Sequence, residues 1–364
     1  MSRLTGDEKA CLLTSVIDSL GVRKRRALLS LFEKPSDIFE KYEFYQEEIV
    51  ALCGKEYYAK LDLAIISDNV DKLIYECEQK SIDIVTLYSE NYPELLANIS
   101  NPPLTLFCKG KLELLSSKLA IGVVGSRKCS RYGLDVAKKF GEDLGENGVT
   151  VVSGLARGID GMAHKGALAV GGKTIAVLAS GVDVIYPPEH KELYREIVEN
   201  GLVISEYLPQ SSPISYRFPE RNRIISGLSD GLLVVEAGEK SGALITLDEA
   251  IDQGREIFIV PSNVNSHTAK GSNEKLRSMP TALTIDSTDV LSRFGIKKQD
   301  KVAVDSIQLD FMEEKIISLL ETGERHFDEL LELTELPSSE LGSLLSRMEV
   351  CGLIKDLGGN YYGL

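Results

Sequence analysis

The sequence predicts an α/β protein: a Rossmann-like parallel sheet core with an N-terminal helical domain and a C-terminal winged helix. Three observations predict it. Short apolar runs recur through the middle of the chain, several of them ending in Gly. Amphipathic segments long enough for helices lie between several of these runs, and strands alternating with helices imply a parallel, helix-covered sheet. At both ends the pattern changes to helical segments without such strands.

Residues 1–75 read as the helical domain. Ala10, Leu13, Ile17 and Leu20 recur at helical spacing, Gly21 breaks the pattern, and Arg23, Lys24, Arg25 and Arg26 open a second helix carrying Leu28, Leu29 and Phe32. A helix, a Gly turn and a basic helix resemble a helix-hairpin-helix or SAM-like module; taken alone, the basic stretch reads as a solvated helix face. Residues 82–292 form the sheet domain. IDIVTLY looks like a strand, and Pro93, Pro102 and Pro103 punctuate the segment after it. LAIGVVG (119–125) is an apolar run ending in Gly, as a buried parallel strand should be. TVVSG (150–154), TIAVLASG (174–181), LVIS (202–205), LLVVEAG (232–238) and EIFIVP (256–261) repeat the theme, with helices expected over 132–146 and 161–170. The polar stretch 293–308 reads as a linker. Residues 309–364 read as a winged helix: helices over 311–320 and 327–333, a third opened by Pro337 and Ser338, and a hairpin turned at Gly358 and Gly359.

The 364 residues are 43% hydrophobic and 26% charged, the mix of an ordinary soluble protein. The start, MSRLTGDEKA, has no apolar stretch of a secretory kind, and no run of about 18 apolar residues occurs, so a cytoplasmic chain with no membrane span is expected. The 6 cysteines and 4 histidines are scattered, which argues against a disulfide framework and a metal site. The formal net charge of -14 argues against nucleic acid unless positive charge is gathered locally.

In an open parallel sheet, ligands bind beyond the carboxyl ends of the strands. After the first central run come Gly125, Ser126 and Arg127; after the second come Gly154 and Arg157, each before a helix. Glycines let backbone approach a ligand, helix N-termini offer N–H groups to an anion, and arginine forks suit phosphate. These glycines equally make tight turns. Arg217, Phe218, Arg221, Asn222 and Arg223 set an aromatic ring beside cations, as sequence-tolerant single-strand binding needs, although core packing and surface ion pairs explain the same residues. Lys240, Ser241, Gly242 and Thr246 follow a later strand and complete a phosphate-friendly floor or cap a helix. Lys191 is a weaker candidate, and His164 reads as a helix residue supporting the loop. No G-x-G-x-x-G follows the first run and no G-x-x-x-x-G-K-[ST] is present, which excludes a dinucleotide or a P-loop nucleotide; no cofactor is expected.

Together GVVGSRKCSRYG, VVSGLARGIDGMAHKGAL, GGKTIAVLASGVDVIYPPEH, ISEY, FPERNRIISGLSDGLLVVEA and SGALIT resemble the DNA-processing protein A (DprA/Smf) family, as does the preceding YPELLANISNPPLTLFCKG. Gly125, Ser126 and Arg127 match the family's G-S/T-R loop, and Phe218, Arg221 and Asn222 its F-x-x-R-N motif. The resemblance implies a homodimer that binds single-stranded DNA and loads a RecA-type recombinase onto strands coated by single-strand-binding protein, in natural transformation and recombination, with no chemical step. Phosphates are then expected on the N–H groups after Gly125 and near Gly154, clamped by Arg127, Arg221 and Arg157, with Phe218 stacking a base. Two departures stand out: Ser262 where the family has Gly, and KLRSMPT over 275–281. The third helix of the winged module carries one arginine, Arg347, beside Glu340 and Glu349, so this module is expected to bind a protein or regulate the core rather than read duplex DNA. A competing reading is a nucleotide-processing hydrolase of the lysine-decarboxylase-like (LOG) group with Glu249 as its acid; the stretch from Ala237 to Gly242 lacks the Pro-Gly-Gly that group carries. A purely structural adaptor leaves the clustered arginines unexplained.

Overall fold

A computed structural model describes residues 4–17, 20–298 and 310–364. They fall into two compact units, one ending at Lys298 and one from Asp310 onward. In the first unit an eight-stranded sheet comprises β1 (Asp83–Thr86), β2 (Thr105–Gly110), β3 (Ala120–Val124), β4 (Thr150–Ser153), β5 (Thr174–Val177), β6 (Leu202–Ser205), β7 (Gly231–Val234) and β8 (Glu256–Ile259), in the order β1-β2-β6-β5-β4-β3-β7-β8. From β6 to β8 all pairs are parallel. Every residue of β3, β4, β5, β6 and β7 is buried, because helices cover both faces; this is why these strands read as continuous apolar runs rather than alternating ones.

The sheet is not wholly parallel. β2 pairs antiparallel with β6, Phe107 opposite Ser205, and β1 pairs antiparallel with β2. The pair caps one edge of the parallel array, and β2, lying just after Pro102 and Pro103, has no counterpart among the strands expected from sequence.

The N-terminal helices run from Gly6–Val16 through Val22–Leu29 to Asn69–Gln79, four residues past the expected boundary. Thr5 starts the first with a capping box: its hydroxyl accepts from the Glu8 amide (3.3 Å) and its amide donates to Glu8 Oε2 (2.7 Å). These helices share one core with the sheet, Leu13, Leu28 and Leu61 clustering with Phe107, Tyr194 and Val203. They therefore belong to the sheet's unit. The expected linker is corrected at its start: Phe294 packs on Phe258 with ring centroids 6.2 Å apart, and Lys298 pairs with the buried Asp143 at 2.9 Å. The rest of that stretch, 299–308, lies outside the described residues.

The second unit is a winged helix. Its helices are Phe311–Glu321, Phe327–Thr334 and Ser338–Val350; a three-stranded sheet joins the short strand Arg325–His326, between the first two helices, to a terminal hairpin of Lys355–Gly358 and Tyr361–Gly363. Ile316, Leu330, Leu341 and Met348 are its core.

Candidate functional site

From β3 to β6 the strands step outward in one direction; β7 then returns to the other side of β3. This topological switch opens a crevice beyond the carboxyl ends of β3 and β7, the place where such sheets bind ligands. It encloses about 790 Å³ and is walled by the loops after β3, β4 and β7 and by the start of the helix Arg217–Gly227.

Two carboxylates of the protein are already engaged there, one at a helix N-terminus and one in the loop after β4. The helix after β3, Arg131–Glu146, is capped by Ser130, whose hydroxyl accepts from the Gly133 amide (3.1 Å). The fully buried Glu236 reaches across from the end of β7 and accepts from the Ser130 amide (3.0 Å) and hydroxyl (2.6 Å). After β4, the buried Asp160 accepts from the Gly154 amide (3.1 Å). The Ser126 amide donates to the Glu236 carbonyl (2.7 Å), and the Ser126 hydroxyl accepts from the Lys128 amide (3.1 Å). Some of the N–H groups expected to meet phosphates are thus taken by internal oxygens, those of Ser126, Lys128 and Gly154.

Arg221, expected to clamp a phosphate, lines the crevice but turns inward. Its guanidinium is buried, and its Nη1 donates to the carbonyls of Gly154 (2.8 Å) and Val177. Burial pushes the group down to about 10, partly offset by the Asp160 carboxylate, so it stays charged at neutral pH. Arg221 is a strut that ties the ends of β4 and β5 to the helix Arg217–Gly227. Gly154 is glycine because a Cβ there would lie 2.5 Å from Arg221 Nη2. Gly125 likewise faces Ile159 and the Glu236 carbonyl with no room for a side chain. Asn222 donates to the Gly242 carbonyl (3.3 Å) and joins the helix start to the loop after β7.

What remains for a ligand is side chains. Arg127, Lys128 and Lys240 line the crevice, all three are exposed, and none forms a salt bridge among the described residues. The Arg127 guanidinium lies 4.8 Å from the centroid of the half-buried Phe218 ring, and Tyr186 packs against the same ring at 5.6 Å. Ser241 caps the helix Gly242–Asp252, accepting from the Ala243 amide (3.3 Å), and the buried Thr246 hydroxyl donates to the Gly242 carbonyl (3.4 Å); both line the floor with their oxygens partly committed.

Other expected contacts lie elsewhere. Arg157 stands on the rim, paired with Glu189. Lys191 opens the helix Lys191–Asn200 and is not among the residues lining the crevice. Arg217 and Arg223 turn to a neighbouring cleft, Arg217 over the Tyr207 ring at 4.4 Å and Arg223 in a buried pair with Glu206 at 2.5 Å. Glu249, the acid of the hydrolase reading, lines that second cleft as well. His164 is buried against β5, its Nδ1 2.6 Å from the Thr174 hydroxyl, so it supports the sheet rather than the loop. Sequence reasoning missed Lys128, Tyr186 and His267 in the crevice. Applying to the loop after β5 the same strand-end rule used for β3 and β4 finds Tyr186.

The sequence profile of the DNA recombination-mediator protein A family matches residues 83–295, more than half of the chain. The chain belongs to that family. The profile of the DprA winged helix domain matches residues 303–360. The Bacillus subtilis DNA processing protein DprA is 42% identical over 193 residues, 53% of this chain and 65% of its own length. Protein Smf of Synechocystis is 34% identical over 289 residues, 77% of this chain and 73% of its own. Among solved structures, DNA processing protein A of Streptococcus pneumoniae superposes with a TM-score of 0.65 at 32% identity, covering 81% of this chain and 100% of that one. DNA processing protein A of Helicobacter pylori, described for its unique single-stranded DNA binding mode, superposes with a TM-score of 0.53 at 29% identity, covering 58% of this chain and 95% of that one. At the two departures noted in the sequence, the Ser262 backbone exchanges two hydrogen bonds with the Asn273 side-chain amide (3.2 and 3.1 Å), and Lys275 pairs with Asp248 at 2.6 Å.

Proposed function

We propose that the chain binds single-stranded DNA in the crevice and delivers it to a RecA-type recombinase. One observation carries the reading: in a chain of net charge -14, Arg127, Lys128 and Lys240 are left without carboxylate partners at one crevice, beside the Phe218 and Tyr186 rings. Cations that track phosphates and rings that stack bases are the two needs of sequence-tolerant single-strand binding. The family's designation as recombination mediator and the single-stranded DNA binding of the Helicobacter pylori relative support it.

Arg127, Lys128 and Lys240 hold backbone phosphates. Tyr186, at the lip, and Phe218, once Arg127 swings from its face onto a phosphate, stack bases, each contact contributing roughly 1–3 kcal/mol. The buried Arg221, Asp160 and Glu236 hold the loops in place. A homodimer presents two crevices to one strand and raises apparent affinity through effective concentration, which displaces single-strand-binding protein without nucleotide hydrolysis. The hydrolase reading loses its acid, because Glu249 faces away from the crevice.

Fluorescence anisotropy with oligothymidine across a salt series tests the binding. Wild type should bind it more tightly than duplex, and Arg127→Ala should weaken binding and flatten the salt slope by about 0.7, one released phosphate contact on a single strand. No binding, or an unchanged slope, would assign the crevice another ligand. Recombinase delivery is read separately, as faster recombinase assembly on coated single strands with the chain present than without it.

A further inference from the structure

On the far side of the wall formed by the start of the helix Arg217–Gly227 lies a second cleft of about 690 Å³, bounded across from that wall by the N-terminal helix Val22–Leu29. We infer that this cleft continues the crevice as a track for the same strand, and that Arg23, Lys24 and Arg26 hold the backbone phosphates of nucleotides leaving it. The inference rests on the single-strand reading above and extends its footprint onto the helical region.

The two depressions share one wall. Ser215, Phe218, Pro219 and Asn222 line the crevice, while Tyr216, Arg217, Glu220 and Arg223 line the cleft, so neighbouring residues at the start of one helix face both. Tyr216, on the cleft side of that wall, is 58% exposed, an unburied ring beside the path of a strand entering the cleft. Opposite, Arg23, Lys24 and Arg26 are exposed, and none of them forms a salt bridge among the described residues. Arg23 and Lys24 line the cleft itself, and Arg23 and Arg26 line a shallow depression adjoining it past Asn101, which extends the path along the same helix. The helix has no acidic residue in its first turn, where Arg23 and Lys24 sit at the end that the helix dipole disfavours for cations; Arg26 lies in its last turn. A protein this acidic has carboxylates to spare for them; leaving them unpaired is the arrangement of a surface that meets a polyanion. Of the acids of the cleft, Glu206 pairs with Arg223 and Glu220 accepts from the Tyr207 hydroxyl (3.3 Å), while Glu249 lines it too. Arg25 is excluded from the set because its Nε donates to the Leu20 carbonyl (2.8 Å) and holds the turn.

The test is a length series of oligothymidine, from about 5 to about 30 nucleotides, titrated against the full chain at several salt concentrations. The variants are Arg23→Gln/Lys24→Gln/Arg26→Gln and, because Arg23 also bonds Asn101 (2.8 Å), Lys24→Gln/Arg26→Gln alone. Glutamine keeps the helix propensity. Wild type should gain affinity and salt slope as length grows beyond the crevice. The triple variant should bind short oligomers as wild type does, and should bind long ones about tenfold or more weakly, with a slope smaller by roughly 2, three phosphate contacts at about 0.7 each. The double variant should fall between. If both variants match wild type at every length, the inference is wrong even though the crevice reading stands. If short oligomers fail to bind wild type, the crevice reading itself is wrong. If the variants weaken short and long oligomers equally, the cleft is no extension and the inference is again overturned.

Discussion

Of the two motif arginines at the crevice, Arg127 is exposed over an aromatic ring and Arg221 is buried beneath carbonyls, and burial decides what each can do. Replacing Arg221 by Met leaves the Gly154 and Val177 carbonyls without their donor and the buried Asp160 without its cation. Leaving a buried acceptor unsatisfied costs about 1–3 kcal/mol, so Arg221→Met should lower the unfolding free energy measured in urea by at least that order. Gly154→Ala drives a methyl to 2.7 Å from Asp160 Oδ2 and against the same guanidinium, an overpacking that costs about 1–3 kcal/mol on the same measurement. The two substitutions strain one cluster, so their effects should not add. The motif residues were legible in the sequence, but their duties were not. The pattern F-x-x-R-N shows a cation three residues from a ring, and whether that cation meets solvent depends on where β4 and β5 end, which is a property of the packed sheet.

At the scale of elements, the strands that could be read are those buried on both faces, because burial demands an unbroken apolar run. β2 escaped because its place is set by its partner: TLFCKG becomes a strand when Cys108 lies opposite Ile204 across β6, a pairing between distant segments. The Glu236 cap escaped for the same reason, since it closes the N-terminus of a helix more than a hundred residues earlier. The helix Ile159–Ala169 brings a buried group of its own. His164 is buried against β5, and burial pushes its imidazole down to about 3 from an ordinary 6.5. A group whose folded value is lowered contributes stability above its unfolded value and loses it as pH falls. Between pH 6.5 and about 3 each pH unit should therefore cost up to about 1.4 kcal/mol through this residue. Urea unfolding at pH 7 and pH 5 should show a larger loss for wild type than for His164→Gln; equal losses would mean that the imidazole is charged in the folded state.

Across the whole molecule, charge is sorted. Residues 310–364 carry twelve Asp and Glu against four Lys and Arg, so most of the net -14 belongs to the winged helix, while unpaired cations gather at the crevice and on the basic N-terminal helix. The one arginine of the third winged-module helix, Arg347, is held by Asp310 (3.1 Å) and Glu313 (2.9 Å), leaving that helix no free cation for a major groove. A 309–364 fragment should accordingly fail to retard duplex DNA at physiological salt; tight binding would reverse the assignment of DNA contacts to the first unit. The most direct test of the central claim is photocrosslinking of an oligonucleotide carrying iododeoxyuridine to the full chain, with adducts mapped by peptide mass spectrometry. Adducts on Tyr186 or Phe218, lost in Arg127→Ala, are the predicted result. Adducts confined to the winged helix, with the crevice unlabelled, would contradict it.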